Sequence, residues 1–171
     1  VYIEGGLERP LGAEIRMRFG DDIKHGVTLT YGQAGPESPA ALMFALMHEV
    51  GHAATIFEIR RNPNSPAVQE LTQLYERLKN MVQLEHAPWW GTPEEQLLFY
   101  NHNAWNSVAE FATEVMTNPQ FLRDLSRYDE IYRQKYEPNK TIFGKFVSVI
   151  TRLLGLSPEH EQLVLLVTDA A

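Results

Sequence analysis

The chain has no cysteine, so neither a disulfide framework nor a thiolate metal site can be built from it. It lacks any apolar run of the roughly eighteen residues that a membrane-spanning helix needs, which argues against a membrane partner. It lacks a basic cluster too. Lys and Arg number 15 against 22 Asp and Glu, a net charge of −7, which argues against a phosphate-binding surface and so against nucleic acid. No internal repeat and no low-complexity segment are visible. No signal-peptide pattern opens the chain, and it starts at Val1 on a strand-like VYIEGG rather than on methionine. The expectation is a domain cut from a longer protein, or a processed product. What is present is the composition of a soluble globular domain, 44% apolar and 22% charged, with 171 residues to build one core.

Periodicity divides the chain in two. Ile15, Met17 and Phe19 alternate with polar neighbours, as do Val27, Leu29 and Tyr31, with Gly20-Asp21-Asp22 as a turn between them. Residues 1–35 therefore read as a small antiparallel sheet, with Val1 to Ile3 as a candidate third strand. From about residue 38 to 171 the spacing is helical. Ser38-Pro39 opens one helix, which Asn62-Pro63-Asn64 stops. Ser65-Pro66 opens the next, whose apolar face is Val68, Leu71, Leu74, Tyr75, Leu78, Met81 and Val82. Trp89-Trp90-Gly91 reads as loop. Thr92 with Glu95 has the form of a capping box, Asn101-His102-Asn103 is a break, and a further helix ends at Asn118-Pro119. Tyr128 to Lys140 reads as loop or frayed helix. Thr141 to Leu154 is a helix stopped by Gly155, and Ser157-Pro158 opens a last short one. The expected fold class is α+β, mostly α, in a single domain over 1–171.

The most informative stretch is His48-Glu49-Val50-Gly51-His52, an H-E-x-x-H pattern on the first helix. Residues four apart on a helix stand one turn above each other, so both imidazoles can face one ion. Glu49 is rotated by about 100° from His48, which sets its carboxylate beside the ion, where it can take a proton from water. From Ala40 to Ile56 the only other polar side chain is Thr55. Such a helix needs a reason for its buried polar groups. The plainer alternative is a pair of core histidines hydrogen-bonded with Glu49. Zinc best suits a His/His/carboxylate donor set with an open position, one ion per chain.

Two histidines hold zinc poorly, so a third ligand is needed. Glu110 and Glu114 stand four apart and interrupt the apolar run of AEFATE. They are candidates for a ligand and for the group that steadies a ligand histidine through its other ring nitrogen. A solvated acidic helix edge is the alternative. His102 and His86 are rival ligands. His25 and His160 lie in polar surroundings and carry no assignment.

A helix bearing HExxH, followed some sixty residues on by a helix reading EFxxE and then Asn-Pro, resembles the gluzincin zinc metallopeptidases. The matching stretches are ALMHEVGHAAT and VAEFATEVMTNPQFLRDL, with a fainter echo in FGKFVSVITRLLGL. The resemblance is closest to the peptidase domains of large polyvalent proteins of phages and mobile elements, and extends to the anthrax lethal factor-like peptidases. It covers most of the chain after Ser38. It implies a zincin-like helical body, with His48, His52 and Glu110 as zinc ligands, Glu49 as catalytic base and Glu114 as the second acidic position. The localisation stays open; the resemblance is compatible with a virion-associated protein or one delivered into a host cytoplasm. Lethal factor-like members place a tyrosine shortly before the ligand glutamate to stabilise the oxyanion. Here Tyr100 is ten residues ahead of Glu110 with His102 between, and either could donate.

The reading that follows is a zinc-dependent endopeptidase acting on a peptide or protein substrate. Val27 to Tyr31, directly before the motif helix, resembles the edge strand above a zincin cleft, to which a substrate could add as a further strand. The alternative is a structural or binding module that keeps the metallopeptidase fold and cuts nothing.

Overall fold

A computed structural model describes the backbone of residues 2–5, 12–17, 25–31, 39–84 and 91–157, and the side chains of 46–83 and 91–157. Helix α1 runs Pro39–Arg61 and α2 runs Pro66–Leu84. Prolines at both starts supply a preset φ where no N–H is needed. Arg60 and Arg61 fall in the last turn of α1, where positive charge opposes the negative end of the helix dipole. Helix α3 is Pro93–Tyr100, opened by a complete capping box: Thr92 Oγ1 accepts from Glu95 N, and Glu95 Oε2 accepts from Thr92 N. A 3-10 turn, Asn103–Asn106, leads into α4, Val108–Thr117. Then come α5, Pro119–Ser126, α6, Asp129–Lys135, and α7, Ile142–Leu153.

The core is built on α2. Its seven apolar positions from Val68 to Val82 are all buried, and they meet Phe111, Ala112 and Val115 of α4, Phe121 and Leu125 of α5, and Phe146, Val149 and Ile150 of α7. Helix α4 packs against α1 on one side and against α2 and α5 on others. The central helix of the body therefore also faces the HExxH helix. Among the described residues no helix is long and apolar enough to cross a membrane.

Two expectations are corrected. The body whose side chains are described is helical throughout and contains no strand, so α+β with an N-terminal antiparallel sheet does not describe it. Where the N-terminal backbone is extended, the pairing is mixed. Strand β3, His25–Tyr31, pairs antiparallel with β2, Gly12–Met17, but parallel with β1, Tyr2–Gly5. The strand order is β1-β3-β2. Val27 to Tyr31 therefore lies in a central strand, not at an edge, and its backbone groups already have neighbours on both sides. Alternation shows that a segment is extended, but it does not say which strand will lie beside it.

For Tyr128 to Lys140, read as loop or frayed helix, the helical alternative holds over Asp129–Lys135. Helix α6 forms there because Tyr128 and Tyr132, one turn apart, are both fully buried. Asp129 Oδ1 then accepts from Ile142 N at 2.6 Å, tying α6 to the start of α7. The expected Trp89-Trp90 loop, His86, His160 and the last short helix lie outside the described residues.

Candidate metal centre

Helix α1 presents His48 and His52 one turn apart, with ring centroids 4.7 Å apart and planes nearly perpendicular. Helix α4 brings the carboxylate. Its start is fixed from outside: Trp105, in the 3-10 turn, donates through Nε1 to Phe99 O, while its own carbonyl accepts from Tyr75 Oη and Lys79 Nζ of α2. Ser107 then caps α4 by accepting from Glu110 N at 3.1 Å. Glu110 thus stands on a helix end held by both a cap and the core.

Glu110 Oε2 lies 3.2 Å from His52 Nε2 and 3.9 Å from His48 Nε2. One ligand atom from each of His48, His52 and Glu110 lies within 4.8 Å of the others. A tetrahedral ion with bonds of about 2.0–2.2 Å sets its ligand atoms roughly 3.3–3.6 Å apart. The three side chains are therefore spaced, and chemically suited, to hold a metal ion: two imidazole nitrogens and one carboxylate oxygen.

Glu49 is buried beside this group. Burial pushes its carboxyl above the ordinary value, His48 pulls it back, and the nearby charge of Glu110 pushes it further up. Glu114 is buried as well. Its Oε1 lies 3.9 Å from His48 Nδ1, and its Oε2 accepts from Asn118 Nδ2 at 2.9 Å. That is the position from which a carboxylate orients a ligand histidine.

The close fit of α1 on α4 depends on Gly51, the second variable residue of the motif. A Cβ there would stand 3.1 Å from Thr113 Cγ2 and 3.4 Å from Met116 Cε. The missing side chain lets Thr113 in, and Thr113 Oγ1 comes to 3.2 Å from His52 Nδ1.

His102 is placed differently from a ligand. Its Nδ1 accepts from Ala104 N at 3.2 Å, capping the 3-10 turn, and its ring lies 4.8 Å from that of Phe121. Its Nε2 faces Glu114 Oε2 at 3.9 Å and Asn118 Nδ2 at 3.5 Å. His102 therefore stands on the far side of Glu114 from His48. Tyr100 ends α3 with its hydroxyl buried and its ring tilted against Phe99 at 6.3 Å.

Sequence reasoning missed Thr113 and Asn118. Glu110, Thr113, Glu114 and Thr117 recur at helical spacing, a polar stripe on an otherwise apolar helix that could have singled out Thr113. Asn118 reads only as a helix stop, although it caps α5 through Oδ1 while Nδ2 grips Glu114. No protein-family model matches the chain, and no curated protein or solved structure matches it either.

Proposed function

We propose that the chain is a zinc-dependent endopeptidase. The observation that carries this reading is the convergence of His48, His52 and Glu110 from two helices with Glu49 buried beside them. The three would hold the zinc, which when bound lowers the pKa of water toward neutrality and polarises a peptide carbonyl.

Glu49 is placed for the proton work. As water oxygen attacks the carbonyl carbon, the carboxylate of Glu49 accepts the water proton. It then passes that proton to the amide nitrogen as the C–N bond breaks, leaving a new carboxyl end and a new amine. Glu114 faces Nδ1 of His48 at 3.9 Å, and the Ser107 cap holds the helix end that carries Glu110.

One observation favours the second reading, a metal-binding module that does not cut. Neither candidate oxyanion donor stands open beside the ligands: the Tyr100 hydroxyl is buried, and His102 uses Nδ1 as a cap and turns Nε2 to Glu114.

Glu49→Gln separates the two readings. It keeps the shape and removes the base. An endopeptidase would lose at least about a hundredfold in cleavage of a mixed peptide library while its zinc content stays at the wild-type level. Zinc in both proteins and turnover in neither would establish the second reading.

A further inference from the structure

Building on the metal reading, we propose that Thr113 is a positioning residue: it holds the His52 ring with Nε2 turned toward Glu110 and accepts from Nδ1 when Nε2 binds an ion.

His52 has two ring nitrogens with two different neighbours. Nε2 faces Glu110 Oε2 at 3.2 Å, and Nδ1 faces Thr113 Oγ1 at 3.2 Å. A neutral imidazole carries one proton. If Nε2 gives its lone pair to an ion, the proton must sit on Nδ1, and a buried N–H needs an acceptor. Thr113 is fully buried and His52 nearly so, and the threonine oxygen is the acceptor in place. The same hydroxyl can rotate and donate to Nδ1 when Nε2 carries the proton toward Glu110. It therefore satisfies the ring in both states, and it adds no charge next to Glu49, Glu110 and Glu114.

Its position is built in. Thr113 is β-branched, so its side chain has few rotamers on a helix. Its methyl occupies the space left by Gly51, and its hydroxyl is thereby aimed at the histidine one residue further on. The two motif histidines thus face unlike groups of α4, His48 a carboxylate at 3.9 Å and His52 a hydroxyl at 3.2 Å.

The experiment is a zinc titration against a competing chelator on wild type, Thr113→Val and Thr113→Ser. Valine keeps the shape and loses the acceptor; serine keeps the acceptor and loses the methyl. The expected result is zinc affinity about 10–100-fold weaker for valine and within about threefold of wild type for serine. Equal affinity in valine and wild type would overturn the proposal. So would serine as weak as valine, since that pattern belongs to packing. Should the valine variant fail to fold, nitrogen-15 spectra of the zinc-loaded wild type decide: the proton of His52 is expected on Nδ1, slow to exchange, and an unprotonated Nδ1 overturns the role. Wild type that takes up no zinc defeats the metal reading itself, and shows it before any variant is compared.

Discussion

At the scale of single residues, the site depends on a side chain that is absent. Gly51→Ala puts a methyl 3.1 Å from Thr113 Cγ2, and the buried, stiff threonine cannot swing aside. Helix α4 must give by a few tenths of an ångström, and Glu110 moves with it. Alanine also raises helix propensity by about 1 kcal/mol, which offsets the crowding. We therefore expect unfolding free energy in the absence of metal to change by less than about 1 kcal/mol. Zinc affinity, read by chelator competition, should fall severalfold. At this scale the grouping of His48, His52 and Glu110 was legible, the first two from one helical turn and the third from two acids in an apolar run. Thr113 was not legible because threonine on a helix is common, and only the facing helix tells its hydroxyl what to do.

At the scale of elements, Asn118 couples a helix cap to the site. Its Oδ1 accepts from Gln120 N and Phe121 N at the start of α5, while its Nδ2 donates to Glu114. Asn118→Ala loses the cap, worth about 1 kcal/mol, and takes the amide donor from the buried Glu114 carboxylate, worth about another 1 kcal/mol. Urea unfolding should show a loss of about 2 kcal/mol. Asn118→Asp keeps the cap acceptor but sets a second carboxylate against Glu114, so it should be no more stable than alanine at pH 7. Helix starts were readable because Ser, Thr and Pro mark them locally. Helix α6 was readable only as one of two alternatives, because its two buried tyrosines look polar in sequence.

At the scale of the whole molecule, one charge network ties α2 to α7 and to the segment before it. Lys145 Nζ lies 2.7 Å from Glu70 Oε1 and 2.6 Å from Glu137 Oε1, and Arg152 Nη2 donates to Glu70 Oε2 at 2.6 Å. Burial alone would raise the Glu70 carboxyl, but the hydrogen bonds from Lys145 and Arg152 outweigh it and hold the group below its ordinary 4.5. A carboxyl lowered by folding adds stability above its unfolded value and loses it as pH falls through the folded one. Glu70→Gln should therefore cost about 1 kcal/mol at pH 7, after allowing for partial solvent screening. The gap from wild type should narrow as pH falls below the ordinary 4.5 and through the lowered folded value, as followed by thermal unfolding across pH. Burial would lower Lys145, yet its bonds to Glu137 and Glu70 raise it, so Lys145 stays charged through the neutral range. The global arrangement was the least legible part. That β3 is central, and that α4 is the helix facing both core and motif, are matters of long-range pairing that local periodicity does not encode.

The account stands on His48, His52 and Glu110 closing around one ion, and metal content tests this most directly. Wild-type protein exposed to zinc and then dialysed should retain one zinc per chain. Its thermal midpoint should drop when a chelator is added, because zinc at a hundred times its dissociation constant stabilises the folded state by about 2.7 kcal/mol. Protein that retains no stoichiometric zinc, and whose midpoint a chelator leaves unchanged, would contradict the account.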